Sequence, residues 1–418
     1  MRIAYICSRY PSISHVFILR EVLALRAIGV EIDTFTVRHS GEEELLTQTD
    51  RDEDARTYTI VPASPAELLA AHLGALVRGP GRYLATFALA LKLRGRGAKA
   101  LLWQVFYFGE AAVVWRQLRR RGIKHIHAHH ANVASDVALL ASHLGGDGWS
   151  WSFTMHGSTE FFDVREHRLP QKVELAEFVA CISKHGRSQL MSLVDPVHWE
   201  KLHVVHCGID LSRFRARDGE RAAPPLEVLT VGRVVPVKGQ SLLVEAVAEL
   251  GRRGVDVRLT IVGDGPQLPA LRQLADRLGV QDRVEFPGAV GQDRIRDYYD
   301  RADVFALPSF AEGIPVVLIE AMATGIPIVA SRITGIPELV EEGVSGVLVT
   351  PGDPDDLTGA LERVLREPPA RRAEMGRAGR ATVEAEFDLE QTAIELRALF
   401  TERIPCYQGD GAGERGKG

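Results

Sequence analysis

The chain has 418 residues, of which 45% are hydrophobic and 25% charged, with a formal net charge of −5. That length exceeds what one ordinary core organises and suits two domains of about 200 residues each, with a cleft between them. The composition is that of a soluble α/β protein and excludes a fibrous or disordered chain, while the acidic balance argues against nucleic acid as a partner.

The opening MRIAYIC is too short and too soon polar to be the apolar region of a signal peptide, so the start reads as unprocessed and cytoplasmic. RIAYICS, VFILREVLALRAIG and VEIDTFTV follow as strand, amphipathic helix and strand, the βαβ signature of a parallel sheet. Further strands are expected at 125–128, 150–156, 177–183 and 201–206. Residues 63–121 read as consecutive helices without a strand, a helical insertion on this first Rossmann-like domain, which spans 1–208. No apolar window reaches the roughly 18 to 20 residues of a spanning helix, the nearest, Leu101 to Trp115, being broken by Gln104 and Glu110. Cys7, Cys181, Cys207 and Cys406 form no C-x-x-C pair, and the first three lie in apolar runs as buried thiols.

The polar, Pro-containing stretch at 209–226 reads as a linker. Strands are then expected near 227–232, 257–263, 283–286, 303–307, 327–331 and 346–349, each followed by a helix-length segment, which makes 227–385 a second doubly wound domain. A terminal helix at 386–405 and a disordered tail at 406–418 complete the chain.

Two segments of the second domain carry chemistry. LTVGRVVPVKG ends a strand at Gly232 and Arg233 and reaches Lys238 before a helix, which puts two cations where open α/β sheets bind ligands and makes them a diphosphate clamp. FAEGIPVVLIE follows the strand VFALPS and holds Glu312 and Glu320 eight positions apart. Eight residues of helix turn roughly 800°, about 80° out of alignment, so the two carboxylates cannot share one helical face. Gly313 and Pro315 place Glu312 in the loop and Glu320 inside the following helix, whose first amides, from Ile314 to Val316 and Val317, present partial positive charge to an anion.

GRVVPVKG, LTIVGDGP, VEFPGAVG, ADVFALPS, EGIPVVLIEAMATGIPIVAS and GIPELVEEGVSGVLV, in that order, resemble the C-terminal domain of the GT-B fold retaining glycosyltransferases of family 4. SRYPSISHVFILREVLAL, IHAHHANVAS and FTMHGSTEFF resemble the first domain of exopolysaccharide and colanic-acid relatives, although Tyr10, Pro11 and Ser12 stand where many carry a glycine-rich loop and His15 where an acid is common. The resemblance implies two facing Rossmann-like domains and transfer of a sugar from a nucleotide-diphosphate sugar to a hydroxyl of a glycan or lipid-linked acceptor, with retention, without metal or other cofactor, in cell-surface glycan synthesis. It puts Arg233 and Lys238 on the diphosphate, Glu320 on the ribose, Glu312 beside the donor sugar and the backbone around Val290 against the base. The catalytic set is then Glu312, His156, Arg233 and Lys238, with Gly232, Val290, Gly313, Ile314, Pro315, Val316 and Glu320 also binding donor. The alternatives are a non-catalytic scaffold of a polysaccharide assembly, or a sugar-nucleotide epimerase on the same architecture.

His156, after the strand SWSFTM, is placed to orient the donor sugar or its phosphate. His125, His127, His129 and His130 suggest zinc, but no carboxylate or thiolate stands beside them at ligand spacing, so no metal is assigned. Between Arg78 and Lys124 there are eleven Lys or Arg against one acid, Glu110, interleaved with Tyr83, Phe87, Trp103, Phe106, Tyr107, Phe108 and Trp115. Two readings stand side by side for this stretch: peripheral contact with the inner membrane surface, or aromatics packed on the first sheet with charges left in water.

Overall fold

The computed structural model describes residues 1–12, 15–95, 97–157, 159–216, 224–291, 294–405 and 407. The chain forms two compact units, Met1–His206 with the residues from Glu390 onward, and Cys207–Leu389. Part of the expected linker, 217–223, and the expected tail apart from residue 407 lie outside the described residues, as does Cys406.

The first unit runs β1 (Arg2–Arg9), α1 (Val16–Ala27), β2 (Glu31–Arg38), α2 (Gln48–Arg56), β3 (Tyr58–Val61), α3 (Pro65–Arg78), α4 (Pro80–Lys92), α5 (Ala98–Arg121), β4 (His125–His129), α6 (Val133–Gly145), β5 (Ser150–Met155), α7 (Val164–His167), α8 (Leu169–Leu175), β6 (Val179–Cys181), α9 (Lys184–Met191) and β7 (Leu202–Val204). Its strands pair in parallel in the order β3-β2-β1-β4-β5-β6-β7. Parallel strands covered on both faces need apolar or satisfied residues at every position. Every residue of β4, β5 and β6 is accordingly buried. The edge strand β3 and the acidic helix α2 before it are additions to the sequence reading.

The helices α3, α4 and α5 carry the chain from edge strand β3 back to β4, so they are the crossover layer of the sheet. Ser64 caps α3 by accepting the Glu67 amide with Pro65 at its start, and Gly122 in the left-handed conformation ends α5. Ala71, Ala75, Ala90, Phe108, Ala111 to Trp115 and Leu118 are buried in one core with Ile6, Phe35 and Ile126.

The second unit runs β8 (Leu226–Val231), α10 (Gln240–Arg252), β9 (Val257–Val262), α11 (Leu268–Leu278), β10 (Val284–Gly288), α12 (Ile295–Arg301), β11 (Val304–Leu307), α13 (Val316–Ala323), β12 (Ile328–Ser331), α14 (Ile336–Leu339), β13 (Gly346–Val349), α15 (Pro354–Arg366) and α16 (Pro369–Glu386). Its parallel sheet is ordered β10-β9-β8-β11-β12-β13. The chain leaves β8 toward one edge and restarts at β11 on the other side, so the strand order reverses between these two neighbours. That reversal opens a crevice at their carboxyl ends, the place where doubly wound sheets take ligands.

The chain then returns to the first unit as α17 (Leu389–Arg403), whose Leu396 and Phe400 are buried with Ile3, Tyr5 and Phe178 on the face of the first sheet opposite α5. One residue assigned to a disordered tail is docked instead. The Tyr407 hydroxyl accepts from the Arg2 amide at 2.9 Å and donates to the Arg2 carbonyl at 2.6 Å. Cys7, Cys181 and Cys207 are buried, and burial pushes the Cys181 thiol up to about 12. Among the described residues no helix is long and apolar enough to cross a membrane.

Candidate functional site

The carboxyl edge of the second sheet is built from three loops that hold one another. After β8, the Gly232 amide donates to the Val262 carbonyl and the Val234 amide to the Asp264 carbonyl, joining this loop to the one after β9. The Phe310 amide, after β11, donates to the Val237 carbonyl at 2.7 Å. Gly263, at φ +142°, lies so close that a Cβ there would collide with the Gly232 carbonyl. The close approach fixes the loop after β8 from which Arg233 and Lys238 both start, on one side of the strand reversal.

Lys238 ends a short 3-10 turn, Pro236–Lys238, that Gly239 closes at φ +65°. Its Nζ donates to Glu312 Oε1 at 2.6 Å, with side-chain exposures of 20% and 10%. The two sequence segments therefore meet at the switch point, one from each side. Arg233 is exposed and its guanidinium makes no ion pair among the described residues, so it is available to an anion. Gly239 takes a left-handed conformation, and a Cβ there would run into the Pro308 carbonyl. We expect Gly239→Ala to destabilise this unit by about 1–3 kcal/mol, read as a shift in the urea midpoint by far-ultraviolet circular dichroism; an unchanged midpoint would mean the loop relaxes freely.

Glu312 lies in the loop, where the Thr334 hydroxyl donates to its carbonyl at 2.7 Å from the segment after β12. Pro315 occupies the N-cap of α13 rather than its first turn. Gly313 and Ile314 precede it, and the amides of Val316 and Val317 open the helix, where they have no acceptor within it. Glu320 is inside α13, as expected, but it is buried at 3% exposure and its Oε2 accepts from the Tyr299 hydroxyl at 2.8 Å. Tyr299, on α12, is itself fully buried and was not singled out from sequence. Val290 is half-buried beyond β10, whose Gly288 carbonyl accepts from the Gly263 amide.

His156 belongs to the first unit, at the carboxyl end of β5. It is 6% exposed, and its Nε2 is 2.8 Å from His129 Nδ1. Its ring lies 4.7 Å from those of Phe17 and His130. Burial above all, then the neighbouring histidines His130, His129 and His15, holds its imidazole well below the usual range, so it is neutral. His130 Nδ1 lies 3.3 Å from Glu160 Oε1, which also accepts from the Ala131 amide. Burial works to raise the Glu160 carboxyl, but the His130 and Ala131 hydrogen bonds and the His130 charge leave it below its ordinary value. Glu160 and Phe17 are site neighbours that no local pattern marked.

The other histidines form a cross-strand ladder. His125 bridges the Ser150 and Ser152 hydroxyls, and His127 bridges those of Ser152 and Thr154, all at 2.7–2.8 Å. One correction concerns their surroundings. The sequence offers no carboxylate at ligand spacing, but α1 brings Glu21 to 3.5 Å from His129 Nε2, and Glu21, His127 and His129 present ligand-type atoms within 4.8 Å of one another. Both ring nitrogens of His127 are already taken by hydroxyls.

Comparison with known proteins places the chain among glycosyltransferases. Residues 213–382 match the family Glycosyl transferases group 1. The amylovoran biosynthesis glycosyltransferase AmsK of Erwinia amylovora is 27% identical over 432 residues, covering 97% of this chain and 100% of the relative. The GDP-mannose-dependent alpha-(1-6)-phosphatidylinositol monomannoside mannosyltransferase of Mycobacterium tuberculosis is 32% identical over 285 residues, covering 64% of this chain and 71% of the relative. Among solved structures, Anabaena Alr3699/HepE in complex with UDP-glucose superimposes with a TM-score of 0.72 at 20% identity, covering 96% of this chain and 100% of that one.

Proposed function

We propose, from the premise that the chain belongs to the group 1 glycosyl transferases, how its residues carry out sugar transfer from a nucleotide-sugar donor to a glycan. The donor diphosphate lies at the β8/β11 switch point of the second unit. Arg233 and Lys238 neutralise it together with the first amides of α13, backed by Gly232, Gly313, Ile314, Pro315 and Val316. Glu320 receives the ribose hydroxyls, the backbone around Val290 meets the base, and Glu312 faces the donor sugar while holding Lys238. The observation that carries the reading is the Lys238–Glu312 contact, which joins two segments 74 residues apart at a topological switch point.

Transfer proceeds with retention, by front-side attack of the acceptor hydroxyl while the departing diphosphate stays clamped. Stabilising that departing charge is the main catalytic task, and fixed cations and amides do so without reorganising during the reaction. His156, being neutral, contributes a hydrogen bond to a sugar hydroxyl rather than a charge. The clamp draws its positive charge from side chains and amides, and the Glu312 carboxylate is engaged with Lys238, which supports a metal-independent reaction. The first unit carries acceptor recognition, for a glycan or lipid-linked acceptor in exopolysaccharide synthesis.

Thermal stabilisation by UDP- and GDP-sugars tests this, because a ligand selective for the folded state raises stability by about 2.7 kcal/mol at a hundredfold excess over Kd. We expect one nucleotide class to shift the transition equally with and without chelator. A shift abolished by chelator would overturn metal independence, and the anomeric configuration of the product, by nuclear magnetic resonance, decides retention.

Peripheral contact with an anionic membrane face also belongs to this reading. Of the aromatics in the crossover helices, Phe108 and Trp115 are buried, and Tyr83, Phe87 and Tyr107 pack partly on the core. Trp103 and Phe106, however, are 40% and 53% exposed, beside exposed Leu102 and Val105. Exposed apolar residues next to a cation-rich, acid-poor surface favour a lipid interface over plain solvation.

A further inference from the structure

The two ring nitrogens of an imidazole are not equivalent, and the partner of one decides what the other can do. Behind His156 a row of polar groups runs back into the first unit. Its Nε2 lies 2.8 Å from His129 Nδ1, and on the far side of that ring His129 Nε2 lies 3.5 Å from Glu21 Oε1, on α1. The same Glu21 oxygen accepts from the Tyr5 hydroxyl at 2.8 Å. Burial above all, then Glu21, raises that hydroxyl well above its ordinary value, so Tyr5 keeps its proton and is the donor. His129 is fully buried, and its Nε2 has no formed hydrogen bond among the described residues.

This row orders the protons. A lone pair on His129 Nε2 would face the Glu21 carboxylate and be repelled, whereas an N–H there is attracted, so one proton on the His129 ring sits at Nε2. His129 Nδ1 then holds a lone pair and accepts, which puts the His156 proton on Nε2. A neutral imidazole carries one proton, so Nδ1 of the neutral His156 is an acceptor. The backbone beside the row is strained. His130 has φ +69°, in the left-handed region that residues with side chains rarely take, and it is held there by its amide on the Thr154 carbonyl and its Nδ1 on Glu160. Successive strand residues point to opposite faces, yet the consecutive His129 and His130 both reach His156, the second with ring centroids 4.7 Å apart. Strain retained by its surroundings at such a cluster points to function.

We propose that Glu21 and His129 are positioning residues that set the tautomer of His156, so that a sugar hydroxyl donates a hydrogen bond to His156 Nδ1. The assignment rests on the reading that His156 meets the sugar. The test is two-bond proton–nitrogen-15 spectroscopy of the histidine-labelled full chain, the His156 signals being identified by their absence in His156→Ala. A proton on Nε2 and none on Nδ1 is expected, and a proton on Nδ1 would overturn the proposal. Glu21→Leu, which removes the acceptor behind His129, should mix the His156 tautomers and slow release of nucleoside diphosphate, from the UDP- or GDP-sugar that stabilises the chain, by about tenfold, the worth of one hydrogen bond. Glu21→Gln, which keeps an oxygen for His129, should restore most of both. Activity lost in Glu21→Leu with the tautomer unmoved, or a Glu21→Leu rate equal to wild type while His156→Ala is impaired, would overturn the positioning role and leave His156 in the reaction. A wild-type rate in His156→Ala would overturn both.

Discussion

Lys238→Ala is expected to lower kcat by roughly a hundred- to a thousandfold, the cost of removing one fixed donor from a developing negative charge. Arg233→Ala should act in the same direction, but the two differ in mechanism. Arg233 is exposed and makes no ion pair among the described residues, so its loss is expected to remove attraction for the diphosphate and to raise KM along with lowering kcat. Lys238 is held at 2.6 Å by Glu312, so its position is set before donor arrives. Such preorganisation shows in kcat, because no binding energy is used to place the cation. Glu312→Gln separates holding from charge: it keeps a hydrogen-bond acceptor for Lys238 but no longer pairs with it. The expected loss is smaller than for Lys238→Ala. Steady-state kinetics on folded variants checks this, and a Lys238→Ala enzyme with wild-type kcat would remove the clamp from the mechanism.

Much of this site was legible because its parts are local. A strand ending in glycine, two cations and a further glycine before a helix fix Arg233 and Lys238 by chain geometry alone. Glu312 and Glu320 fall in loop and helix because Gly313 and Pro315 mark the boundary between them. What escaped was set by packing between distant segments. Tyr299 meets Glu320 across 21 positions, on a different helix, and nothing in the run around Tyr299 points to a carboxylate. Glu21, on α1, stands 3.5 Å from His129, on β4, although 108 positions separate them, so an acid absent from the histidine motif stands beside it in space. Strand β3 was missed for a different reason: four residues at a sheet edge are too few to show a period. The helices at 65–121 were legible as helices, but their role as the β3-to-β4 crossover depends on that missed strand.

Acidification is expected to unfold the first unit cooperatively while the second remains folded. Burial lowers the His125 imidazole to about 3 and His15 to about 4, and holds His127 and His156 well below the usual range. The unfolded chain takes up these protons near pH 6.5, the folded chain only far lower, so the unfolded state carries more protons in between and stability falls as pH falls. Glu110 acts oppositely. Burial raises its carboxyl to about 7, so between about 4.5 and that value the folded state holds the extra proton. These four imidazoles, with His72, His143 and His203, which burial also lowers, outweigh the one carboxyl, so unfolding takes up several protons in the window and stability falls by a few kcal/mol per pH unit, on the order of 1.4 kcal/mol for each proton. That is enough to exhaust the stability of a domain within two units or so. The five tryptophans, Trp103, Trp115, Trp149, Trp151 and Trp199, all belong to the first unit, so their fluorescence reports it alone. A sigmoidal change between about pH 6 and 4.5 is expected from the same balance, and His125→Gln with His127→Gln should flatten it, because glutamine keeps hydrogen-bonding capacity toward the Ser150, Ser152 and Thr154 hydroxyls but takes no proton. Fluorescence unchanged from pH 7 to 4 would mean that the imidazoles are charged inside the fold, His156 among them, rather than neutral hydrogen-bonding groups.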